Sequence, residues 1–119
     1  MSFLKNRIHS FKNAFRGVFV FFKTYGGAHA KIHLLATLIV LFAGFYFEVS
    51  NLEWALLFLA IGLVLVSEII NSAIEQLVDL VHPEWNDKAG LIKDMAAGAV
   101  LMSAITAVII GFAVFWKYL

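Results

Sequence analysis

Two carboxylates sit inside a stretch of chain that is otherwise built for oil. The string Ser67-Glu-Ile-Ile-Asn-Ser-Ala-Ile-Glu-Gln-Leu-Val-Asp79 closes a long apolar run that begins near Trp54. Glu68 and Glu75 are seven residues apart, about two helical turns, so on a helix both acids point the same way. Asn71 lies between them on that face, and Asp79 extends it by one more turn. An acid deep in a lipid-facing helix is costly, so one that is kept there marks a functional candidate by default. The fold must therefore be helical here and must keep one stripe of this helix away from oil.

Composition says why oil is the relevant solvent. The chain has 119 residues, of which 62% are hydrophobic and only 14% charged. A soluble domain would carry about a quarter charged residues. The surplus apolar surface calls for a bilayer, and the expected fold is a small all-α membrane protein forming one domain, residues 1–119. There is no cysteine, hence no disulfide framework and no thiol chemistry. A cleavable signal peptide is not expected, because the first residues spread basic and apolar groups along an amphipathic pattern without a compact apolar core.

Residues 1–24 read as that amphipathic surface helix. Phe3, Leu4, Ile8, Phe11, Phe15, Val18 and Phe22 recur at three- and four-residue spacing, while Lys5, Arg7, Lys12 and Arg16 mostly take the other side. Such a helix lies in the membrane interface or caps other helices of the protein, and the two roles are compatible. Gly26-Gly27 then breaks or bends the chain. Three spans are expected at 32–47, 54–81 and 89–116. The first reaches roughly 24 Å, short of a ~30 Å core, so Lys31, His33 and Glu48 are expected to snorkel. The short 48–53 turn makes its neighbours antiparallel, and Trp116 and Tyr118 end the last span at an interface.

Charge sets the orientation. Six basic residues and no acid precede the first span, whereas the 48–53 turn holds two acids and no base. Positive charge marks the cytoplasmic side, so the N-terminus and the 82–93 region are expected in the cytoplasm, and the protein in the inner (cell) membrane of a bacterium. The acidic face then opens where nucleotides and divalent metals are found.

On that face Glu68, the deeper acid, suits a general base that takes a proton from an alcohol. Glu75, nearer water, suits a hard cation such as Mg²⁺, and Asn71 could orient either one. Hydrogen bonding between helices of an oligomer is an equally weighted use of the same groups. Lys93-Asp94 starts the third span. Lys93 could meet phosphate oxygens as a point charge, although a lysine there is otherwise an interface anchor. In the loop, Trp85 could stack on a base and Glu84 or Asn86 could bond a ribose, against the plainer reading of Trp85 as an interfacial anchor. His29 and His33 have no ligand company in sequence and default to interface residues. Ala96, Ala97, Gly98 and Ala99 read as close helix packing. No phosphate-cradling glycine loop and no kinase catalytic-loop signature occurs, and nothing accompanies the basic residues to suggest nucleic acid.

Taken together, Glu68-Ile-Ile-Asn-Ser-Ala-Ile-Glu75 with Asp79, the polar loop, and Lys93-Asp94-Met-Ala-Ala-Gly-Ala-Val100 resemble the prokaryotic integral-membrane diacylglycerol kinase family, which includes the undecaprenol kinases. The resemblance covers nearly the whole chain. It implies a homotrimer with composite active sites, and transfer of the ATP γ-phosphoryl group to the primary hydroxyl of a membrane lipid with Mg²⁺. It also implies Glu68 as general base with Asn71 beside it, Glu75 as a metal ligand, and Lys93, Asp94, Glu84, Trp85 and Asn86 as nucleotide contacts. Arg16 and Gly17 match the surface element at the lipid and nucleotide entrance.

One departure stands out. The family usually places a second metal-binding glutamate before the first span, where this chain reads Lys23-Thr-Tyr-Gly-Gly-Ala-His-Ala-Lys-Ile-His33. Counted back from His33 the position falls on Gly27. Counted forward from Gly17 it falls near Tyr25, as if two residues were inserted. Neither is acidic. Either His29 or water substitutes, or catalysis is weakened, or the chain is an inactive relative. Ile32-His33 and the Ala-Ala-Gly-Ala run lean toward the undecaprenol branch. The rival from another class is a proton-coupled transporter using Glu68, against which the cytoplasmic level of Lys93-Asp94 argues.

Overall fold

Three of the four helices begin where the sequence supplies a side-chain cap. In the computed structural model, which describes residues 2–119, the Ser2 hydroxyl accepts from the Lys5 N–H at the head of α1 (Phe3–Val20). Ser50 and Glu53 make a reciprocal capping box that opens α3 (Asn51–Val81). Asn86 Oδ1 accepts from the Lys88 and Ala89 N–H groups and opens α4 (Asp87–Phe115). The remaining helix, α2 (Gly27–Tyr46), has no side-chain cap. It grows out of a π-helical turn, Phe21–Tyr25, that continues α1 and closes with a 2.7 Å bond from the Gly26 N–H to the Phe21 carbonyl.

The glycine pair therefore bends the chain without ending the helical run. Gly27 takes φ +55°, left-handed backbone that suits glycine, and α2 follows directly. Its twenty residues reach about 30 Å, the full thickness of a bilayer core. The short first span expected from Ile32, with its need to snorkel, is thus corrected: the helix starts earlier. Three helical segments, Gly27–Tyr46, Asn51–Val81 and Asp87–Tyr118, are long and apolar enough to cross a membrane.

The three long helices run antiparallel in sequence. Phe45 lies against Trp54 across the α2–α3 turn, with ring centroids 4.9 Å apart. Helix α3 pairs with α4 from Glu53 and Tyr118 at one end, where the phenol donates to Glu53 Oε1 at 2.6 Å, to Asp79 and Lys93 at the other. The packed core sits at the turn end. Val49, Leu57 and Val114 are buried there, with Phe47, Trp54, Phe115 and Tyr118 around them. Much of the remaining apolar surface, including Leu38, Phe42, Leu59, Leu101, Ile105 and Phe112, faces outward. Helix α1 contributes no buried residue.

Candidate active site

The end of the bundle away from this core collects the polar groups. The start of α2, the last turns of α3 and the first turns of α4 all meet there, and the acidic stripe of α3 runs through the middle. Burial falls along the stripe. Glu68 is 5% exposed and Ser72 is buried beside it, Asn71 and Glu75 are half-buried, and Asp79 is exposed. Helical periodicity does this: residues spaced by three, four and seven stay on one face while the helix climbs out of the bundle.

Each member of the stripe except Ser72 has a side-chain partner. Glu68 Oε1 lies 2.8 Å from His33 Nε2 on α2. Asn71 donates from Nδ2 to Glu75 Oε1 at 3.2 Å, one turn further on. Lys93, from α4, pairs with Asp79. Asn71 therefore orients Glu75 rather than Glu68, and its Oδ1 is a buried acceptor with no partner. Among the described residues, no other basic side chain comes within 4.0 Å of Glu68.

The other residues singled out in the sequence are placed less closely. Glu84 and Trp85 are exposed in the α3–α4 loop, and Asp94 is exposed beside Lys93. Asn86 spends its side-chain oxygen on the α4 cap, leaving only its Nδ2 for another partner. Arg16 is exposed on α1. None of Arg16, Glu84, Trp85 or Asp94 forms a hydrogen bond or ion pair with the stripe among the described residues. Near Gly17, a groove of about 350 Å³ runs between the end of α1 and α3, bordered by Val18, Phe21, Ile69, Ser72 and Gln76. Ser72 thus borders both the groove and the acidic stripe.

The residue that sequence reasoning missed is His33. It is not an interface residue but the partner of the deepest acid. A signal existed: counting equal numbers of residues outward from the 48–53 turn along two antiparallel helices brings His33 level with Glu68. His33 also borders an apolar cavity of about 400 Å³ between α2, α3 and α4, lined by Ala36, Val64, Ala104 and Phe115 among others.

Glu75 is the half-buried carboxylate of the stripe that could take a hard cation. The Glu75 carboxylate accepts from Asn71 Nδ2, which leaves Asn71 Oδ1 on the far side of the amide without a partner. Among the described residues no three histidine or acidic side chains converge. A single carboxylate is a sparse ligand set, and Mg²⁺ at such a site would keep several waters and take its other ligands from substrate phosphates.

The family model for prokaryotic diacylglycerol kinase matches residues 12–115. An undecaprenol kinase of Bacillus subtilis is 39% identical over 106 residues, covering 89% of this chain and 85% of that protein. A diacylglycerol kinase of Synechocystis is 37% identical over 107 residues, covering 89% of this chain and 60% of its own length. A diacylglycerol kinase of Escherichia coli is 34% identical over 84 residues, or 71% and 69% of the two chains.

Proposed function

Because the chain belongs to the prokaryotic diacylglycerol kinase family, we propose that it moves the γ-phosphoryl group of ATP onto the primary hydroxyl of a membrane lipid. It works as a homotrimer at the cytoplasmic face of a bacterial inner membrane. The observation that carries the reading is a buried carboxylate, Glu68, with one oxygen held by His33, at the deep end of a polar stripe that opens outward.

Glu68 takes the hydroxyl proton through its second oxygen as the lipid oxygen bonds to the γ-phosphorus. The bond from that phosphorus to the bridging oxygen breaks, and ADP leaves with the electron pair. Glu75, oriented by Asn71, would hold Mg²⁺, which when bound offsets the charge of the triphosphate. Lys93, kept at the level of the stripe by Asp79, adds a point charge for phosphate oxygens. Trp85, Glu84, Asp94 and Arg16 are exposed and can reach the nucleotide from the solvent side. Phosphoryl transfer depends on positioning and electrostatics, so few groups suffice.

Undecaprenol is the favoured acceptor. The relative named for it is covered over most of its length, and the Ile32-His33 pair leans the same way. Family membership leaves the proton-coupled transporter without support. The test offers undecaprenol and diacylglycerol separately with labelled ATP in vesicles. Phosphorylation of undecaprenol is expected, and Glu68→Gln should abolish it while leaving assembly intact. Full turnover by that variant removes Glu68 from the mechanism, and no turnover by the unaltered protein on either lipid marks an inactive relative.

A further inference from the structure

We infer that His33 is a positioning residue for Glu68: its Nε2–H holds one carboxylate oxygen so that the other faces the lipid hydroxyl. The inference rests on the kinase reading and goes beyond it by giving α2 a part in the proton transfer.

The geometry isolates the pair. Nε2 to Oε1 is 2.8 Å, with the His33 side chain 23% exposed and that of Glu68 7% exposed. A carboxylate this buried is costly unless something donates to it, and His33 is the only basic side chain within 4.0 Å among the described residues. Thr37, one turn along α2, cannot compete, because its hydroxyl donates to the His33 carbonyl at 2.8 Å. Asn71 Nδ2 donates to Glu75 and not to Glu68.

The chemistry follows from the proton inventory. A base must be ionised, so in the reactive state the proton of this contact sits on Nε2 and the carboxylate accepts. A hydrogen bond to an ionised acceptor is stronger than a neutral one, and it ties Oε1 to α2 while leaving Oε2 for the substrate. The contact is also mechanical. The packed core lies at the turn end, so at the site end His33 is the side chain that joins α2 to α3 by a polar bond.

Three substitutions separate this role from simple packing. His33→Gln keeps an N–H donor at similar reach. His33→Asn keeps the amide but stops one methylene short. His33→Leu keeps bulk without a donor. Lipid phosphorylation in vesicles is measured for each, with assembly checked by size in detergent. Losing a hydrogen bond to a charged group should lower kcat by about tenfold to a hundredfold in the Leu and Asn variants. KM for ATP and lipid should stay near the unaltered values, because the His33 Nε2 is taken up by Glu68. His33→Gln should remain within about threefold of the unaltered enzyme, since the donor survives.

Should His33→Leu fail to assemble, the contrast between Gln and Asn decides alone. Equal activity in Gln and Asn variants, a loss carried by KM, or a Leu variant as active as the unaltered chain overturns the inference. If the unaltered chain phosphorylates no lipid, the kinase reading itself fails, which is a different result.

Discussion

Gly27→Glu puts an acid at the position reached by counting back from His33, and the backbone sets its cost. Gly27 has φ +55°, and a side chain in left-handed backbone costs roughly 1–2 kcal/mol. Space is not the obstacle, since a Cβ there meets nothing within 4 Å. The variant should therefore lose about 1–2 kcal/mol of stability from strain alone. Gly27→Ala carries the same strain without the carboxylate and is the control. Thermal unfolding in detergent should lower both variants equally. If the missing acid limits the native enzyme, only Gly27→Glu should then need less Mg²⁺ for half-maximal lipid phosphorylation, because one more hard oxygen joins the ligand set. Matching Mg²⁺ titrations for Glu and Ala would refute the assignment of this position to the metal. An Ala variant as stable as the unaltered chain would refute the strain argument.

Two further substitutions test the turn end. A Cβ at Gly44 would lie 2.4 Å from Trp54 Cη2, so Gly44→Ala should cost about 1–3 kcal/mol by overpacking and shift tryptophan fluorescence. Ser50→Ala removes the hydroxyl that caps α3 and should cost about 1 kcal/mol in denaturant unfolding. Its kcat should be unchanged, because the cap and the acidic stripe lie at opposite ends of α3.

Much of this molecule is local, and what is local can be read from residue order. Ser50 with Glu53 announces a capping box, and Asn86 before Asp87 announces the start of α4. The stripe from Glu68 to Asp79 follows from periodicity alone, as does its outward gradient. The junction between α1 and α2 was less legible. Three- and four-residue spacing does not distinguish an α turn from the π turn at Phe21–Tyr25, and a glycine pair that reads as a break instead places Gly27 at the head of a helix. Contacts across helices were hardest. Lys93 and Asp79 each stood out alone, yet nothing in either segment names the other as partner. His33 is isolated in its own helix, and its role exists only once the hairpin folds it onto Glu68.

The proposed reaction joins two phases, and the length of α3 is what would let one helix serve both. From Trp54, Glu68 lies about 21 Å along the axis and Asp79 about 37 Å, against a hydrocarbon core of ~30 Å. A lipid hydroxyl held by its chains in the membrane can thus meet Glu68 inside the core. A triphosphate, which cannot enter oil, can meet Glu75, Lys93 and Asp94 at or beyond its edge. Apolar packing cannot close such an end, because half of it must admit water. Polar bonds hold it instead: His33 to Glu68 and Lys93 to Asp79 between helices, Asn71 to Glu75 along one. The tight core is displaced to the opposite end around Leu57 and Val114, where no ligand has to pass. Stability and chemistry are thereby separated along the bundle axis. Substitutions at Gly44 or Ser50 should move unfolding without moving kcat, while those at His33 or Glu68 should move kcat.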